Sequence, residues 1–289
     1  MIIIICIDRK GGSPMDFDGK VAFVTGAARG QGRNHAVRLA REGADIIALD
    51  LCAPVAGAPY DMATSADLDE TVHLVEAEGR RIEATVADVR DADAVTKALA
   101  RGIESFGRLD VVVANAGIAG SFPVEELTDE IWRDMIDINL TGVWNTVKAS
   151  VPHLRAGGRG GSIVLISSIA GLKGLPNNAH YAAAKHGVLG IMRSLANELG
   201  PEGIRVNAVL PTNVDTRMLL NDAIYKLFLP EADAPTRSEV EPLLHGMHAL
   251  DVPFVHPDDV SNAVLFLAGD RSRYVTGITM PIDAGALVK

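Results

Sequence analysis

Val21-Ala22-Phe23-Val24-Thr25-Gly26-Ala27-Ala28-Arg29-Gly30-Gln31-Gly32 joins a short apolar run to a turn with three glycines and then to an amphipathic stretch. Glycine carries no Cβ. Gly26, Gly30 and Gly32 therefore suit a chain that bends sharply from strand to helix while its backbone N–H groups approach a phosphate. The spacing is not the common G-x-G-x-x-G, and glycine-rich turns also serve as plain connections, so the position directly behind the first strand gives the motif its weight. Outward from it, apolar runs alternate with amphipathic stretches, the pattern of repeated βα units in a parallel sheet. Strands are predicted at residues 21–25, 45–49, 81–87, 109–114, 162–166, 204–209 and 278–282, with helices between them. Their uniformly apolar character predicts a sheet covered on both faces. The expected fold is thus α/β, a single Rossmann-type doubly wound parallel sheet of about seven strands with helices on both sides.

The 289 residues suffice for one such domain, placed at residues 15–289, with residues 1–14 read as a disordered tail. The first seven residues are apolar but far short of the roughly 20 that a membrane span needs. A net charge of −10 excludes the basic face that nucleic acid or an anionic membrane requires, and leaves a small molecule as the natural partner. Two unpatterned cysteines, Cys6 and Cys52, fit a reducing cytoplasm rather than a disulfide framework, and no His/Cys/carboxylate cluster has metal-ligand spacing, so no metal is expected. Two segments break the rhythm. Residues 51–63 are rich in Ala, Pro and Gly, and residues 215–255 are loosely patterned and carry Met218, Leu219, Leu220, Phe228, Leu229 and Met247. Long insertions of this kind are usually functional covers or disordered.

Eighteen residues past Gly32, the second predicted strand runs out at Asp50. A carboxylate there can accept both hydroxyls of an adenosine ribose and repels a 2′-phosphate, which favours NAD over NADP. Arg29 pulls the other way, since a guanidinium beside the ribose could hold that phosphate. Asp88 and Val89, after the third strand, are placed to hold an adenine, although Asp at a strand end is also a common turn former.

Tyr181 stands four residues before Lys185, and Ser168 thirteen before the tyrosine. Four residues on a helix put phenol and ammonium on one face, where the cation favours the phenolate and draws a pKa of about 10 toward working pH. That makes an acid/base. His180 and His186 read as helix-surface residues.

The ordered set, extended by Asn115-Ala116-Gly117 after the fourth strand, Asn139 in the next helix and Pro211-Thr212-Asn213-Val214-Asp215-Thr216 after the sixth strand, resembles the short-chain dehydrogenase/reductase family over residues 18–286. The resemblance implies that Tyr181 exchanges a proton with the substrate oxygen, Lys185 holds the nicotinamide ribose, Ser168 orients the substrate and Asn139 holds a water linking Lys185 to solvent. It implies cofactor contacts from Gly26, Arg29, Gly30, Gln31, Gly32, Asp50, Leu51, Asp88, Val89, Asn115, Ala116, Gly117, Tyr181, Lys185, Pro211, Val214 and Thr216. Asn115 is expected to stiffen the sheet edge. Thr212 departs from the glycine more usual there. Arg29-Gly30-Gln31-Gly32-Arg33-Asn34-His35, together with residues 44–52 and the insertion behind them, resembles the mycofactocin-coupled, carveol-dehydrogenase-like branch. That branch implies a tightly held NAD recycled in place by mycofactocin, and the family implies a homotetramer built on the helices bearing Asn139 and Tyr181. The apolar residues of 215–255 either line a pocket for a hydrophobic secondary alcohol or ketone or simply pack on the sheet. A 3-oxoacyl thioester reductase and a catalytically silent NAD-binding regulator are the alternatives. Asp50 and the acidic charge oppose the first, and the intact Ser168, Tyr181 and Lys185 oppose the second.

Overall fold

The computed structural model describes residues 16–289. The expected tail at residues 1–14 lies outside the described residues. Along the chain run β1 (Val21–Thr25), α1 (Gly30–Arg41), β2 (Asp45–Asp50), α2 (Ser65–Ala77), β3 (Ile82–Val86), α3 (Ala92–Phe106), β4 (Val111–Ala114) and α4 (Asp129–Ile136). They are followed by α5 (Gly142–Gly157), β5 (Gly161–Ile166), α6 (Ala179–Leu199), β6 (Ile204–Pro211), α7 (Asp222–Phe228), α8 (Arg237–His245), α9 (Pro257–Ala268) and β7 (Thr279–Ile282). All seven expected strands form, in one parallel sheet of order β3-β2-β1-β4-β5-β6-β7.

Side chains alternate across a strand, and here both faces are buried. Val21 and Phe23 of β1 join Leu99, Val147, Leu154 and Val188 from α3, α5 and α6 in one core. Ala22 and Val24 join Leu39, Leu68, Val260 and Val264 from α1, α2 and α9 in the other. That is why the strands are apolar throughout rather than alternating. β3, at the edge, is only partly buried, and its sequence is correspondingly mixed. The direction of winding reverses between β1 and β4. The carboxyl ends of those strands diverge into a crevice, the usual place for a ligand in open α/β sheets.

The 215–255 stretch folds into α7 and α8 with connecting turns. Both helices are short, at 7 and 9 residues, and Asn221 caps α7 by accepting from the Ile224 N–H at 3.1 Å. No described helix is long and apolar enough to cross a membrane.

Candidate active site

The glycine turn is set by close approach as well as by dihedral angle. Gly26 and Gly30 have φ values of 67° and 54°, in the left-handed region. At Gly32 a Cβ would lie 1.9 Å from the Gly26 carbonyl oxygen, so no larger residue fits. Asn115 pins the turn from the neighbouring strand by donating Nδ2–H to the carbonyl oxygens of Thr25 at 2.9 Å and Gly26 at 3.2 Å. The Thr25 hydroxyl accepts in return from the Asn115 and Ala116 N–H groups at 3.1 and 3.2 Å. This is the edge-stiffening role expected of Asn115. α1 begins at Gly30 with no side-chain cap, which leaves its first N–H groups facing the crevice.

The crevice opens into a cavity of about 360 Å³ running from Gly26 past Asp50, Asp88 and Gly117 to Tyr181 and Lys185. Of the expected cofactor contacts, Gly26, Arg29, Gly30, Gln31, Gly32, Asp50, Leu51, Asp88, Val89, Asn115, Ala116, Gly117, Tyr181, Lys185 and Thr216 line it. Pro211 and Val214 do not. Pro211 pairs with Ile282 within the sheet, and Val214 is buried and pairs with Val255, so both hold the loop whose Thr216 reaches the cavity. The Asp50 carboxylate is tied to the glycine turn, accepting from the Ala28 N–H at 2.9 Å and the Cys52 N–H at 3.1 Å, which aims it at the rim. Asp88 lines the cavity with both oxygens engaged by Arg90, whose backbone N–H and Nε each donate at 2.8 Å.

Two polar atoms in this wall are buried without a hydrogen-bond partner, Arg29 Nη1 and Gln31 Oε1. Buried polar groups are otherwise almost always satisfied, so their presence marks a site built for a polar ligand. A dinucleotide fits these features: glycines leave room for a diphosphate, helix N–H groups and a guanidinium meet its charge, and Asp50 stands where a ribose would follow.

At the other end, Lys185 is buried and donates Nζ–H to the Ile166 carbonyl at 3.0 Å, with Nζ 5.6 Å from the centre of the Tyr181 ring. Burial pulls the Lys185 pKa down to about 8. Tyr181 moves in the direction opposite to the sequence expectation: burial raises its pKa, and the neighbour opposing that rise is the Ser168 hydroxyl rather than the lysine. Ser168 accepts from the Ala170 N–H at 3.1 Å, a short-range contact that orients its hydroxyl. Asn139 sits in a π-helical turn, Asp137–Thr141, that interrupts the path from α4 to α5. π-Bulges often mark functional sites. Its amide clamps one residue, accepting from the Ile118 N–H and donating to the Ile118 carbonyl, both at 2.8 Å.

His180 is a correction. It is fully buried, edge-on to Phe122 at 5.9 Å, with both ring nitrogens unpaired, and burial lowers its pKa. His186 is exposed as expected.

Both interrupting segments reach the cavity. From 51–63, Leu51, Val55, Tyr60, Met62 and Ala63 line it; from 215–255, Thr216, Arg217 and Met218 do. Val55 and Ala63 are buried, while Pro54, Ala56 and Pro59 face solvent. Thr212 finds a use where glycine is usual: its hydroxyl donates to His248 Nε2 at 2.9 Å, because His248 Nδ1 donates to the Val252 carbonyl at 2.7 Å. The 215–255 segment is thereby tied to the end of β6. Sequence reasoning missed the cavity positions of Arg33, Val55, Tyr60, Ile118 and Arg217. Arg33 follows the last glycine and bonds the Ala28 carbonyl, so its place was readable.

A short-chain dehydrogenase family model, described as Enoyl-(Acyl carrier protein) reductase, matches residues 26–286. The chain is 51% identical over 273 residues to a (−)-trans-carveol dehydrogenase of Rhodococcus erythropolis, covering 94% of this chain and 99% of the relative. It is 50% identical to a Mycobacterium tuberculosis protein named as an NAD-dependent oxidoreductase, covering 96% and 98%. The crystal structure of carveol dehydrogenase from Mycobacterium avium in complex with NAD superposes with a TM-score of 0.93 at 57% identity, covering 94% of this chain and 99% of that one. The chain belongs to the short-chain dehydrogenase/reductase family of oxidoreductases.

Proposed function

We propose that the protein is an NAD-dependent dehydrogenase that interconverts a hydrophobic secondary alcohol, carveol-like in character, and its ketone. One observation carries the reading: the glycine turn and Asp50 at one end of a single cavity, and Tyr181 and Lys185 at the other, are bridged by Leu51, Val55, Met62, Ile118 and Met218. Bound NAD supplies the nicotinamide that exchanges hydride with the substrate carbon. In the reducing direction the Tyr181 phenol, kept protonated by burial, donates its proton to the ketone oxygen. In the oxidising direction the Tyr181 phenolate, to which the Ser168 hydroxyl donates, takes the proton of the alcohol, while Lys185 holds the nicotinamide ribose. Asn139 holds Ile118, and thereby the cavity wall beside Lys185, in place. The other expected cofactor contacts in the wall take the roles assigned from sequence, and Pro211 and Val214 act by positioning Thr216.

The two covers slow cofactor exchange. That fits recycling in place by a redox partner such as mycofactocin. Trp132 on α4 and Trp144 on α5 are exposed, as an assembly through these helices requires, and a homotetramer acting in the cytoplasm is proposed. Asp50 and the charge of −10 oppose the thioester-reductase reading.

The test offers purified protein cyclic terpenoid alcohols with NAD or NADP and an artificial electron acceptor. NAD-dependent oxidation of the terpenoid alcohol is expected. Equal or better use of NADP, or no alcohol-dependent reduction of bound or added nicotinamide, would refute the assignment.

A further inference from the structure

Tyr60 lies in the 51–63 segment and lines the cavity together with Arg29, Gly30, Tyr181 and Lys185. Its oxygen accepts a hydrogen bond from the Ala119 N–H at 3.1 Å. A phenol that accepts through its oxygen still has its own proton to donate. That bond also fixes the ring, because the Ala119 backbone sits at the carboxyl edge of the sheet behind Asn115, Ala116 and Gly117. The Arg29 guanidinium lies over the face of the Tyr60 ring, 5.9 Å from its centre, and leaves Nη1 buried without a partner. Arg29 belongs to the glycine turn and Tyr60 to the insertion, and the two stand side by side as donors in the cavity wall.

We infer that Tyr60 is a cofactor-binding residue, whose hydroxyl donates to an oxygen of the diphosphate–ribose segment of the dinucleotide. The inference rests on the NAD reading above and adds to it a donor outside the glycine turn. Position along the cavity selects the segment: Tyr60 is within electrostatic reach of Arg29 at the turn and of Tyr181 at the reacting end, so it stands between the adenosine and the nicotinamide. Burial pushes its pKa up to about 12, which keeps the hydroxyl a neutral donor and suits it to phosphate or ribose oxygens. The ring has a second use. It separates the cavity from an outer groove lined by Pro59, Asp61, Arg217 and Leu220.

The full-length protein and Tyr60→Phe are titrated calorimetrically with AMP, ADP-ribose and NAD. Tyr60→Phe keeps the ring and loses only the hydroxyl. Affinity is expected to fall about tenfold for ADP-ribose and NAD, the effect of one lost hydrogen bond to a polar or charged acceptor, with AMP unchanged. Tyr60→Ala, which also opens the partition, should release NAD faster than Tyr60→Phe does. Unchanged binding of ADP-ribose and NAD by Tyr60→Phe, with a raised KM for the alcohol, would overturn the inference and make the hydroxyl a substrate contact. Equal weakening of all three ligands would also overturn it, by placing the donor at the adenosine. Wild-type protein that binds none of them would remove the NAD reading and this inference together.

Discussion

The Gly26–Gly32 turn and the 51–63 segment face the same cavity and are built on opposite terms. In the turn, backbone meets backbone: a Cβ at Gly32 would sit 1.9 Å from a carbonyl oxygen, and Asn115 locks the carbonyls of Thr25 and Gly26. The segment has no regular structure and is held by a few side chains, chiefly Val55 and Ala63 in the core and Tyr60 on the Ala119 N–H. The first arrangement tolerates no change and exposes donors at fixed positions. The second rests on side-chain packing, with Val55 and Ala63 buried and Leu51, Ala58 and Met62 laid against the core. Chemistry and most of the recognition are thus proposed for the sheet edge, and retention for the covers.

This division orders the expected effects. Tyr181→Phe should keep the fold and the cofactor yet lose about 10²- to 10⁴-fold in turnover, the usual contribution of a positioned acid/base. Steady-state rates with the best alcohol check it, and retention of more than about a tenth of the activity would remove Tyr181 from the proton transfer. Asp50→Ala should weaken NAD by roughly 1.5 to 3 kcal/mol, or about ten- to a hundredfold, and narrow discrimination against NADP, because the Arg29 guanidinium then dominates the rim. Binding titrations with both dinucleotides decide this; an undiminished preference for NAD would place the discrimination elsewhere.

The division also tracks what could be read from sequence. The strands were legible because a sheet covered on both faces leaves no polar side to blur the pattern, and the largest boundary differences are two residues, at the start of β4 and the end of β6. Gly26, Gly32, Asp50 and Asn115 were legible because their neighbours are close in sequence or lie at the same strand end. Tyr60 was not, since the partners that give it meaning, Ala119 and Arg29, are 59 and 31 residues away and nothing in the insertion points to them. His180 was misread for a different reason. Tyr181 and Lys185 mark one face of α6, whereas His180, Ala184 and Val188 form a second buried face at the same four-residue spacing. The direction of the Tyr181 pKa depends on burial, which spacing alone does not convey. Pro211 and Val214 were placed by motif position; their pairing with Ile282 and Val255 assigns them to the loop's support.

The most direct test of the division replaces residues 52–63 with a short Gly-Ser turn and follows, in one stopped-flow experiment, hydride transfer to bound NAD and the release of cofactor on dilution. The account predicts release at least about tenfold faster, equivalent to ~1.4 kcal/mol of lost contact, with single-turnover hydride transfer within about threefold of the intact chain, roughly 0.7 kcal/mol of barrier. Unchanged release, or loss of hydride transfer with retention intact, would contradict it.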